Sequence, residues 1–139
     1  SLSGMSGFAV VDWATRKEIR RIETPYNAKG IIGMGGPKGE PHGVPSHGIG
    51  VAPDNSSVWV NSRMDNTVYA YSLPDLKLLG YVPTQYDPMA MTFSPDSKKL
   101  YVANNGAGTV SVIDVPGRKV VAIIPVGEAP KRNTTAKLP

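Results

Sequence analysis

The chain has no cysteine in 139 residues. That excludes disulfides, Cys-ligated zinc, iron–sulfur clusters, thioether-attached haem and thiol catalysis, and leaves the redox compartment open. Long apolar runs are missing as well. Val120 to Val126 is the longest and is broken by Pro125, far short of the roughly 18 residues a spanning helix needs. Charge of one sign is not concentrated in the body of the chain. The formal net charge is +4, and Lys131, Arg132 and Lys137, in a tail without acid, supply most of it. A basic stripe with interleaved aromatics is absent, which argues against nucleic acid as a partner. Uninterrupted helical stretches are scarce too, because 15 Gly and 13 Pro punctuate the sequence. Such spacing favours short strands joined by turns. With 40% apolar and 19% charged residues, the chain is neither disordered nor membrane-like in composition.

What is present is a repeat. Val51-Ala52-Pro53-Asp54 through Val58-Trp59-Val60 returns 42 residues later as Phe93-Ser94-Pro95-Asp96 through Leu100-Tyr101-Val102. The same offset pairs Thr67-Val68 with Thr109-Val110, Lys77 with Lys119 and Pro83 with Pro125. A partial copy stands at the start, where Phe8-Ala9-Val10-Val11-Asp12 matches Val110-Ser111-Val112-Ile113-Asp114. That offset exceeds two repeats by 18 residues, which fall in the Gly-rich stretch around Tyr26 to Pro45. Each unit reads as four strands: Gly48–Ala52 or Ala90–Ser94; a second around Val58–Val60 or Leu100–Val102; Thr67–Ser72 or Thr109–Asp114; and Leu78–Val82 or Val120–Ile124. Phe8–Asp12 and Ile19–Ile22 supply the last two strands of the partial copy. Pro53-Asp54 and Pro95-Asp96 open tight turns. In the second strand Val58 and Val60 point one way and Trp59 the other, so Trp59 and Tyr101 are expected between units, while Trp13, unmatched in the other copies, is expected exposed or packed locally. Asp12, Ser72 and Asp114 occupy equivalent strand ends and read as turn caps, not as a catalytic carboxylate pair.

Four antiparallel strands in 42 residues is the spacing of a β-propeller blade. Leu100-Tyr101-Val102-Ala103-Asn104-Asn105, Thr109 to Asp114 and Lys119 to Gly127 closely resemble the YVTN-type β-propeller repeat. The resemblance implies an all-β fold of about two and a half blades in a seven-bladed ring. Residues 1–25 form the second half of a blade, 26–44 a Gly-rich insertion between blades, 45–86 and 87–127 two blades, and 128–139 a basic tail or closing strand. Because propellers carry four to eight blades, the expected partners are the remaining blades of a longer chain, ahead of further copies of this one.

In such a ring the insertion, Asn61–Asn66 and Ala103–Gly108 share one face, and the innermost strands line the channel. His42, His47, Asn61, Arg63, Tyr86, Asp87, Asn104 and Asn105 are therefore the candidate ligand-binding residues. His47 is the candidate general acid or base. His42 and His47, with Met34 and Met64 nearby in sequence, are weak candidates for metal ligation because two histidines fall short of a ligand set. No cofactor is read from the sequence. The Gly30–Gly39 stretch lacks the Gly-Lys-Ser/Thr of a phosphate loop and reads as a lid or surface loop. Two functions follow from the resemblance: a non-enzymatic binding or scaffold propeller, periplasmic, cell-surface or secreted, taking a small molecule or protein; or part of a propeller enzyme or redox subunit (lyase, lactonase or cofactor-dependent oxidoreductase type) with its site at the channel mouth.

Overall fold

A computed structural model describes residues 5–25 and 45–136. All ten elements among them are strands. They are β1 (Gly7–Val11), β2 (Glu18–Glu23), β3 (Ile49–Val51), β4 (Ser57–Ser62), β5 (Thr67–Ser72), β6 (Leu78–Pro83), β7 (Pro88–Phe93), β8 (Lys99–Asn104), β9 (Thr109–Asp114) and β10 (Lys119–Pro125). No helix among the described residues is long and apolar enough to cross a membrane. Consecutive strands pair antiparallel into a hairpin, β1-β2, and two four-stranded sheets, β3-β4-β5-β6 and β7-β8-β9-β10. The repeat reproduces the pairing residue for residue: Trp59 lies opposite Ala70 in one sheet and Tyr101 opposite Val112 in the other.

The turns explain why the strands end where they do. Asp54 Oδ1 accepts the amide of Ser56 at 3.0 Å, and Asp96 Oδ1 accepts that of Lys98 at 3.0 Å. Between third and fourth strands, Asp12 Oδ1 takes the amide and hydroxyl of Thr15, and Asp114 Oδ2 takes the amide of Gly117. Arg16, Leu76 and Arg118 occupy one repeat position in these turns, and all three have left-handed backbones, with φ of 58°, 57° and 46°. β3 is shorter than the expected Gly48–Ala52. Gly48 donates its amide to the side chain of Asn61, and a Cβ there would lie 2.7 Å from Met89 O. β7 is longer than expected at its start, running from Pro88.

These caps hold Asp12, Asp54, Asp96 and Asp114 below the ordinary carboxylate pKa. For Asp114 the leading cause is the hydrogen bond from Lys99, followed by the Gly117 amide; for Asp96 it is the Ser94 hydroxyl, for Asp54 the Ser56 amide and for Asp12 the Thr15 hydroxyl. A carboxyl whose pKa is lower folded than unfolded stabilises above the unfolded value and loses that contribution as pH falls through the lowered one. Stability is therefore expected to fall below about pH 4. Urea titrations at pH 6 and pH 3 should show a smaller loss in Asp114→Asn than in the natural chain. An equal loss would remove Asp114 from the account.

Two apolar clusters hold the sheets together. Phe8 of the hairpin packs with Val58, Val60, Tyr69 and Tyr71 of the middle sheet. Trp59, Val68, Ala70 and Val82, on the other face of that sheet, pack with Phe93, Leu100, Val102 and Ile113. β4 is buried at every position because a neighbour covers each of its faces. The Trp59 ring meets Phe93 edge-on at 6.3 Å, as expected of a residue between units. Tyr101 differs from the expectation. It holds the equivalent place on the last sheet but is only half-buried, because that face has no further sheet against it among the described residues. Trp13 is 79% exposed and stacks locally under the Arg16 guanidinium, 4.0 Å from the ring centre.

Candidate functional site

The connections that follow the second strands lie beside the starts of the first strands. Two equivalent backbone bonds of 2.8 Å make the join: the Arg63 amide to Pro45 O, and the Asn105 amide to Asp87 O. This brings most of the candidate residues to one end of the sheets, but with different employment.

Arg63 and Asp87 form an ion pair at 2.5 Å, with side chains only 10% and 4% exposed. It ties the middle sheet to the first strand of the last one. Asp87 has a left-handed backbone, φ 59°, and its amide is held by Asn66 Oδ1 at 2.9 Å. Tyr86 packs against Gly106, where a Cβ would come within 2.2 Å of its ring. His47 is exposed at the start of the first strand, with Nδ1 3.0 Å from Met89 O in the neighbouring sheet. Asn105 reaches Pro130 O at 3.5 Å.

Asn61 and Asn104 are fully buried and turn inward. Asn61 Oδ1 accepts the amides of His47 and Gly48, while Nδ2 donates to Pro88 O and Met89 O. One amide thus stitches two first strands together. Asn104 Nδ2 donates to the hydroxyls of Thr109 and Ser111, and its buried Oδ1 has no hydrogen-bond partner among the described residues. Both side chains are structural in this arrangement. His42 and Met34 lie outside the described residues. Met64 lines a separate small cavity of about 220 Å³ with Met5, Ser6, Glu23, Thr24 and Pro45. Among the described residues no three His, Asp or Glu side chains stand close enough to hold a metal ion.

Sequence reading missed Asp65, Asn66 and Tyr69. The Tyr69 hydroxyl donates to Asp65 Oδ2 at 2.5 Å. Burial, then that hydrogen bond, pushes the phenol well above its ordinary pKa, so it stays a neutral donor. Tyr71 is pushed up to about 12 by burial alone. A usable signal was in the repeat. Asp65, Asn66 and Tyr69 stand where the next copy has Ala107, Gly108 and Ser111. Arg63, Asp87 and His47 likewise break the repeat, against Asn105, Pro45 and Met89. Arg63, Asp87, Asn66 and His47 break the repeat at this end, while Lys98, Lys99 and Arg118, against Ser56, Ser57 and Leu76, break it at the other. A cleft of about 720 Å³ opens beside the first group, lined by Asn105–Gly108, Pro125 and Gly127–Ala129.

Solved structures with this arrangement are β-propellers. The hydrazine synthase of Kuenenia stuttgartiensis matches with a TM-score of 0.60 and 28% identity, over 62% of this chain and 24% of that one. The dihydro-heme d1 dehydrogenase NirN in complex with DHE matches over 96% of this chain and 26% of that one, with a TM-score of 0.68 and 23% identity. The WD40 repeats of RRP9 match over 60% of this chain and 27% of that one, at 0.55 and 14%. No family model and no curated protein matches the chain. The chain spans about a quarter of the length of the solved chains it resembles. It is all-β and folds as propeller blades, two complete and one half.

Proposed function

We propose that this chain is part of an exported, non-enzymatic β-propeller of the YVTN type, periplasmic or at the cell surface, whose channel mouth binds a ligand. The observation that carries the reading is a cluster of non-repeating polar residues built around a buried ion pair. Arg63, Asp87, Asn66, Tyr86 and His47 lie at one end of the sheets, where the next copy has other residues or none matching. Arg63, Asp87 and Asn66 hold one another in place, as in a preformed binding rim. His47 is the exposed member of the group and the natural residue to meet a ligand.

The test is a melting-temperature screen of small polar compounds against the full chain and His47→Ala. Because His47 is exposed, the substitution should leave the unliganded melting temperature nearly unchanged. A compound that stabilises the natural chain should lose its effect in the variant. Failure of every compound to distinguish the two would sink the assignment of His47.

A second reading, part of a propeller enzyme or redox subunit, is favoured by one observation: the solved chain at 28% identity is a synthase. Conversion of a stabilising compound by the natural chain and not by His47→Ala would select it.

A further inference from the structure

We propose that a pocket between the two complete sheets, at the end away from His47, binds a free aliphatic amino acid as its zwitterion. Arg118 takes the carboxylate, Asp54 and Asp96 take the ammonium, and an apolar wall takes the side chain. The proposal does not depend on what the channel mouth binds.

The turns between first and second strands and those between third and fourth strands meet at this end. They enclose a pocket of about 400 Å³, lined chiefly by Asp54, Leu79, Asp96, Lys98, Val115 and Arg118. That volume suits a small molecule. Ser97 Oγ accepts the Asp54 amide at 3.0 Å, so the turns of neighbouring sheets are already joined and one wall is preformed. The repeat marks the cations as peculiar to this junction. Lys98 and Arg118 stand where the middle sheet has Ser56 and Leu76. Arg118 crosses to β6 at Gly80, where a Cβ would press within 3.3 Å of its Nε. The last sheet has Ala122 at that position, so the glycine that lets the guanidinium through also belongs to this junction.

Charges of both signs line the pocket without meeting. Among the described residues neither Arg118 nor Lys98 makes an ion pair, and neither does Asp54 or Asp96. The two carboxylates serve their own turns through Oδ1 and are ionised at neutral pH. Two cations and two anions leave the lining neutral as a whole. A multiply charged anion would meet two carboxylates, and a simple cation would meet Arg118 and Lys98. A zwitterion bridges the separated charges and meets neither repulsion. The planar fork of arginine suits a carboxylate. Leu79, 42% exposed, and Val115 offer apolar surface to an aliphatic side chain.

The probes are leucine, isocaproate, which lacks its ammonium, and isoamylamine, which lacks its carboxylate. Each is titrated into the full chain and followed by amide NMR shifts. Leucine should move the amides of Ser56, Ser97 and Lys98. Each analogue should bind about tenfold more weakly, the effect of losing one charge-assisted hydrogen bond. Arg118→Gln should weaken leucine binding by a similar factor. Its melting temperature should stay put, because Arg118 is exposed and makes no ion pair. Three results would overturn the proposal: no amide movement at millimolar leucine, isocaproate binding equal to leucine, or unchanged leucine affinity in Arg118→Gln. Shifts confined to His47 and Asp87 would overturn it as well, and would assign leucine to the channel mouth.

Discussion

Trp59→Ala is expected to destabilise the chain by about 3–5 kcal/mol, the range for truncating a large buried aromatic. Trp59 is 1% exposed. Its indole N–H donates to Ser57 Oγ at 3.0 Å, and its ring meets Phe93 edge-on, so three favourable terms go together. The sheets flanking it share no other aromatic pair among the described residues, so the void has little to collapse onto. Against a total stability of about 5–15 kcal/mol for a domain, such a loss lowers the urea midpoint severely. Trp59→Phe keeps the ring and should cost much less. Equal losses for Phe and Ala, read from urea titrations, would show that the packing of this ring is not what holds the sheets together.

Asp87→Asn is the second large effect, expected at about 3 kcal/mol, because removing one partner of a buried ion pair strands the other charge. Asn is the informative replacement. Asp87 sits at φ 59°, a conformation that Asn tolerates and most residues do not, so the loss reports the charge and not the backbone. Arg63→Met in the same chain removes the stranded charge and should recover most of the loss. If Asp87→Asn alone is neutral in urea titrations, the pair does not hold these sheets together.

How much of this was legible beforehand follows from the repeat. Pro53-Asp54, recurring as Pro95-Asp96, announces its turn through residue types that have only a few conformations, and the equivalences it sets carry Trp59 to the boundary between sheets. Asn61 was legible as a polar residue at the right end but not as a stitch. Whether an amide faces a ligand or four backbone groups depends on how close the neighbouring first strand comes, and only the contact at Gly48 reveals that distance. The short β3 escaped for a related reason: three residues give no period, and its boundary is drawn by a side-chain bond from Asn61. Asp65, Asn66 and Tyr69 escaped because attention to what recurs passes over what does not.

The turns after the third strands carry a further consequence. Arg16, Leu76 and Arg118 each hold a twist that suits glycine and costs a side-chain-bearing residue about 1 kcal/mol or more. The cost is spread over three rim positions far along the sheets from His47 and Asp87. Heat tolerance in this protein is thus adjustable at its periphery, by relaxing those corners one at a time, while the polar end keeps its shape.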